Sequence, residues 1–94
     1  MEDLLKKLNI EKKNFGACTG PEGWIKNSNT KEIFSVNPTN GETIASVFES
    51  SIKDYETVVQ KSKDAYEEWK KVPAPIRGQL VREMANALRD YKDP

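Results

Sequence analysis

The chain has 94 residues, in which 15 Lys plus Arg balance 15 Asp plus Glu, and it contains no histidine. That length bounds one small domain. Zero net charge argues against a nucleic-acid partner, which calls for a basic excess or a basic face, and the missing histidine removes the commonest general base and metal ligand.

Leu, Ile, Val and Phe make up about a fifth of the chain, near the level at which disorder becomes the better guess. A folded form therefore needs buried surface supplied from outside these residues. Cys18 is the single cysteine and makes no internal disulfide, which suits a reducing compartment. The N-terminus, Met1-Glu2-Asp3-Leu4-Leu5-Lys6-Lys7, carries acids early and lacks a long apolar run. It resembles neither a secretory signal, a transit peptide nor a membrane span. A soluble cytoplasmic protein without a membrane partner is expected.

Residues 3–10 place Leu4, Leu5 and Leu8 on one side, as two turns of amphipathic helix would. Residues 14–30 hold Gly16, Gly20, Pro21 and Gly23 with Asn27, Ser28, Asn29 and Thr30, and read as irregular chain. Residues 1–30 thus form an N-terminal arm. Ile33 to Val36 and Thr43 to Phe48 are β-branched and aromatic runs around Asn37-Pro38-Thr39-Asn40-Gly41-Glu42. Asn40-Gly41 supplies positive φ angles and Pro38 pre-sets a turn, so a β-hairpin over about 32–48 is predicted. A lone two-stranded hairpin is barely stable in water and needs a larger body beneath it.

A helix over about 51–72 starts sharply. Ser51 is a good N-cap, and Asp54 sits three residues on, where its charge suits the helix start and its oxygen reaches back. Tyr55, Val58, Val59, Ser62, Ala65, Tyr66, Trp69 and Val72 make one apolar stripe. Pro73-Ala74-Pro75 ends the helix. A second helix over about 75–91 begins with Pro75 in its first turn. Its stripe is Ile76, Leu80, Met84, Ala87, Leu88 and Tyr91, and Gly78 weakens it by up to ~1 kcal/mol. The short connection favours two helices packed on each other. The chain reaches Pro94 directly after this helix, and more polypeptide is expected beyond it.

Little here carries chemistry. The neighbours of Cys18, Gly16-Ala17 and Thr19-Gly20, include none of the cations, histidines or helix starts that activate a thiol. Gly16, Gly20 and Gly23 are spaced G-x-x-x-G-x-x-G with no strand before and no helix after, unlike a phosphate loop. Metal-ligand spacing is absent. Glu67-Glu68 and the pairs Lys6-Lys7, Lys12-Lys13 and Lys70-Lys71 read as solvated surface. Tyr66 and Trp69 lie inside the apolar stripe and read as core rather than as a stacking platform. No residue of this chain is assigned a catalytic or cofactor-binding role.

The order of elements nevertheless resembles the start of the aldehyde dehydrogenase superfamily. The carrying residues are Val36-Asn37-Pro38-Thr39-Asn40-Gly41-Glu42-Thr43-Ile44-Ala45, then Asp54 through Trp69, then Pro73 onward. Two stretches are similar to the antiquitin branch of α-aminoadipic semialdehyde (piperideine-6-carboxylate) dehydrogenases. They are Val72-Pro73-Ala74-Pro75-Ile76-Arg77-Gly78 with Val81-Arg82, and Leu5-Lys6-Lys7-Leu8-Asn9-Ile10 with Asn14-Phe15-Gly16. Ala17-Cys18-Thr19-Gly20 and the segment from Pro21 to Asn29 depart from that branch.

The resemblance implies an α+β fragment in which residues 31–94 open an α/β, Rossmann-like coenzyme-binding domain. It implies NAD(P)-dependent oxidation of an aldehyde to an acid by a larger subunit. There a cysteine attacks the aldehyde, hydride passes to the nicotinamide, and a glutamate-activated water releases the acid. Those groups lie beyond this chain, and Cys18 is not the family nucleophile. The 94 residues alone are expected to bind no NAD or NADP and to be inactive. Some members hold a structural cation on backbone oxygens, to which Ser35 and Val36 would correspond. The implied partners are the rest of the subunit and a homo-oligomer, dimer or tetramer. Two other readings stand beside this: a free-standing helical-hairpin module that binds a protein through Trp69, Met84 and Tyr91, or a gene remnant without function.

Overall fold

The computed structural model describes all 94 residues. Helix α1 (Glu2–Lys7) has acids in its first turn and lysines in its last, matching the helix dipole. It stops earlier than the leucine pattern suggests because Asn9 turns left-handed at φ 55°. Ile10 N–H then donates to Leu5 O (2.8 Å) and Asn9 N–H to Lys6 O (3.1 Å), closing the helix end in a Schellman arrangement.

Strand β1 (Lys13–Phe15) follows, where irregular chain was expected. It runs parallel to β3 (Thr43–Phe48), which also pairs antiparallel with β2 (Glu32–Val36). The predicted hairpin is present but forms part of a three-stranded sheet in the order β1-β3-β2. The third strand answers the weakness of a lone hairpin. Stacked Phe15 and Phe48 rings, 5.8 Å apart, pin β1 to β3.

Gly16 follows β1 directly. A Cβ there would collide with the carbonyl oxygen of Phe48, so only glycine lets the strands cross so closely. The 37–42 loop also differs from expectation, since only Gly41 takes a positive φ (76°). Asn40 contributes through its side chain, accepting from Glu42 N–H at 3.0 Å. Asn37 does the same for Thr39 N–H at 2.9 Å, so side-chain turns replace the two-residue reversal.

Helix α2 (Ile52–Trp69) and helix α3 (Ala74–Asp90) form at the predicted places. They do not pack on each other, which corrects the expected helical pair: strand-to-strand pairs are the only elements in mutual contact. The cause is the joint. Pro73 caps α3 in an extended conformation (ψ 142°) and sends α3 away from α2 instead of folding it back. The molecule accordingly has a radius of gyration of 16.7 Å, against about 12 Å for a compact chain of this length.

No apolar residue is buried, and Ser46 is the one residue that is (6 % exposed). Tyr66 (57 %) and Trp69 (37 %) stand open on α2, and Met84, Leu88 and Tyr91 on α3. The lysine pairs lie at the surface as expected; Lys12 meets Glu2 at 3.6 Å and Lys71 meets Glu68 at 3.4 Å, exposed contacts that contribute little.

Open space surrounds the position a Cβ would take at Gly78. Gly78→Ala is therefore expected to stabilise α3 in this chain by up to ~1 kcal/mol, read as increased helicity by circular dichroism. A loss of helicity would show that something outside the helix needs the glycine.

Candidate functional site

Two polar clusters organise the chain, and both serve structure. In the first, Ser46 of the central strand donates to Glu32 Oε1 (2.5 Å), while its backbone N–H donates to Lys12 O (2.9 Å). Asn14 donates through Nδ2 to Ser46 O (3.1 Å) and Glu11 O (2.8 Å). One buried serine thus ties together the approach to β1, β3 and the first residue of β2. A hydrogen bond to a carboxylate is stronger than a neutral one, which suits the one buried residue of the chain.

The second cluster starts α2. Ser51 Oγ accepts from Asp54 N–H (3.1 Å), and Asp54 Oδ2 accepts from Ser51 N–H (3.1 Å), completing the predicted capping box. Asn27 adds what the sequence did not signal: its Nδ2 donates to the same Oδ2 at 2.9 Å from a loop 27 residues upstream. Only a fold brings those two positions together. The Asn27 amide, and then the Ser51 backbone N–H, hold the Asp54 carboxyl below its ordinary 3.8.

The Gly-rich stretch is a small closed loop. Cys18 and Trp24 bridge, Thr19 N–H donates to Gly23 O (2.9 Å), and Gly23 N–H donates to Gly20 O (2.9 Å). A Cβ on Gly23 would strike the Thr19 hydroxyl. Gly20 and Gly23 shape tight turns, and the stretch leads into β2 rather than into a helix. Cys18 Sγ donates to Gly20 O at 2.8 Å and accepts from Gly20 N–H at 3.4 Å inside this loop.

Ser35 and Val36 lie exposed at the end of β2, and a bulge between them interrupts pairing with Ala45 and Thr43. No three His, Cys, Asp or Glu side chains gather as a metal site. Tyr66 and Trp69, with Ser62, Ala65 and Val72, line an open trough of about 730 Å³ along α2. Glu68 lies at its border, so the trough is mostly but not wholly apolar.

The comparisons with known proteins follow this order of elements. A model described as "Aldehyde dehydrogenase family" matches residues 24–94. The chain belongs to the aldehyde dehydrogenase family. "Aldehyde dehydrogenase family 7 member A1" of Pisum sativum is 39 % identical over 91 residues, covering 97 % of this chain and 17 % of that protein. "Alpha-aminoadipic semialdehyde dehydrogenase" of Bos taurus is 38 % identical over 86 residues, 92 % of this chain and 15 % of that protein. The Rattus norvegicus protein of the same name is 37 % identical over 86 residues, with the same coverage of 92 % and 15 %. The antiquitin-like resemblance stands with these relatives. The chain spans about a sixth of the length of the curated relatives it matches. As an aldehyde dehydrogenase segment, it carries the family's pattern from the hairpin through both helices.

The depressed Asp54 carboxyl fixes a pH dependence. A lowered folded-state pKa contributes stability that is fully present above the ordinary 3.8 and lost as pH falls below it through the lowered value. The Asp54 side-chain titration, followed by carbon NMR, is expected to move upward in Asn27→Ala. Ser51→Ala is expected to cost α2 about 1 kcal/mol. An unmoved titration would remove Asn27 from the cap.

Proposed function

We propose that this chain is the opening stretch of an NAD(P)-dependent aldehyde dehydrogenase subunit that oxidises α-aminoadipic semialdehyde to its acid. In this reading residues 31–94 begin a Rossmann-like coenzyme-binding domain, and the arm before them steadies the sheet through β1. The observation that carries it is the family match over 24–94, set against helical stripes that find no cover within these residues. The catalytic cysteine, the glutamate and the coenzyme loop belong to the rest of the subunit. This chain contributes scaffold: a capped α2, a fixed corner at Pro73 and two apolar faces for the remainder to cover. The resemblance also supports a homo-oligomer, a dimer or a tetramer, and the single cysteine suits a cytoplasmic setting. No helix is long and apolar enough to cross a membrane.

The substrate reading follows from the relatives' names and from the similar stretches at Val72–Gly78 and Leu5–Gly16.

Mixed with α-aminoadipic semialdehyde and NAD or NADP, the 94 residues alone are expected to reduce no nicotinamide above the blank. A full-length subunit that includes them is expected to do so, with the acid as product. Turnover by the 94 residues, or a full-length subunit inert toward every aldehyde offered, contradicts the proposal.

A further inference from the structure

We propose that Asn40, at the tip of the β2–β3 hairpin, is a site of spontaneous deamidation, a covalent change that loosens the hairpin independently of any catalytic role.

Three observations single it out. Asn40 is exposed and is followed by Gly41, which has no side chain and nothing within 4 Å of where one would stand. Its carboxamide is already turned forward along the chain, with Oδ1 accepting from Glu42 N–H at 3.0 Å. That bond polarises the side-chain carbonyl and holds it beside the Gly41 peptide. The other asparagines are less suited. Asn37 precedes Pro38, which has no N–H to react. Asn14 and Asn27 are held by hydrogen bonds to Ser46 and Asp54. Asn86 lies within α3, where its successor's amide is fixed in the helix. Asn9 and Asn29 precede Ile10 and Thr30, whose branched side chains crowd the approach.

The chemistry needs only water and hydroxide. Hydroxide takes the proton of the Gly41 amide, and its nitrogen attacks Asn40 Cγ, forming a C–N bond. The Cγ–Nδ2 bond breaks, and ammonia leaves with a proton returned from water, closing a succinimide ring. One water then opens the ring at either carbonyl, giving aspartate or isoaspartate. Nothing is oxidised or reduced. The Gly41 N–H donates to Asn37 O at 2.8 Å, and this bond must open before the nitrogen can react. It is the gate on the rate.

The product disturbs the turn. Asn40 Nδ2 now donates to Glu42 Oε2 at 3.2 Å; a carboxylate in its place meets Glu42 as a like charge. Isoaspartate also lengthens the backbone just ahead of β3, against a register fixed from Thr43 to Phe48.

The chain is incubated in warm, mildly alkaline buffer, and amide-to-acid conversion is mapped by peptide mass spectrometry with enzymatic isoaspartate methylation. Conversion at Asn40 is expected to run several-fold faster than at any other asparagine and to be lost in Asn40→Gln. It is expected to accelerate in urea, which opens the Asn37 gate. Conversion at Asn40 no faster than at Asn29 or Asn86 overturns the proposal, and equal rates with and without urea overturn the gate.

Discussion

Hydrophobic burial is the dominant favourable term in folding, and this chain leaves it almost unused. Two helices carry apolar stripes along their full length, yet no apolar side chain is buried and the helices do not touch. Full burial of a Leu, Ile, Val or Phe side chain is worth ~1.5–3 kcal/mol. The stripes of α2 and α3 therefore represent most of the stability this segment can contribute, and they contribute it only when covered. What holds within the chain is mostly polar: a capping box, turn hydrogen bonds, a strand ladder and one buried serine. Everything else about the molecule follows from that division.

Distant parts of the chain cooperate in the sheet and, outside it, through the Asn27–Asp54 bond at the start of α2. β3 lies between β1 and β2, so the arm and the hairpin are joined through the central strand. Ser46 makes this junction polar where an apolar core would be usual. Its partners, Glu32 and the Lys12 carbonyl, come from opposite sides of β3. A junction of this kind fixes register: a one-residue slip would take Ser46 away from both. The corner at Pro73 does the corresponding work for the helices, setting their directions without contact between them.

Legibility in the sequence tracked the range of the interaction. Ser51 and Asp54 announced the start of α2 because a capping box is complete within four residues. Pro73 announced the break for the same reason. The hairpin was legible from its β-branched runs, while its loop was not, because Asn37 and Asn40 act through side-chain turns that resemble ordinary turn chemistry in sequence. β1 was missed because a three-residue parallel strand has no pattern of its own; it exists through Phe48, Ser46 and the space left at Gly16. Asn27 was missed because its partner is 27 residues away. The packed helical pair failed instructively. Apolar periodicity says that a face wants a partner and never says which one, and the nearest helix in sequence was the wrong choice. No catalytic site was legible in these residues, whose recognisable patterns are a cap, a proline break and apolar periodicity.

The central claim is that α2 and α3 are stable only under the rest of a dehydrogenase subunit. Amide hydrogen exchange, measured on this chain and on a full-length subunit containing it, tests that most directly. Fast exchange is expected through Ile52–Trp69 and Ala74–Asp90 in the isolated chain, and strong protection of both helices in the subunit. Equal, strong protection of those amides in the isolated chain would contradict it.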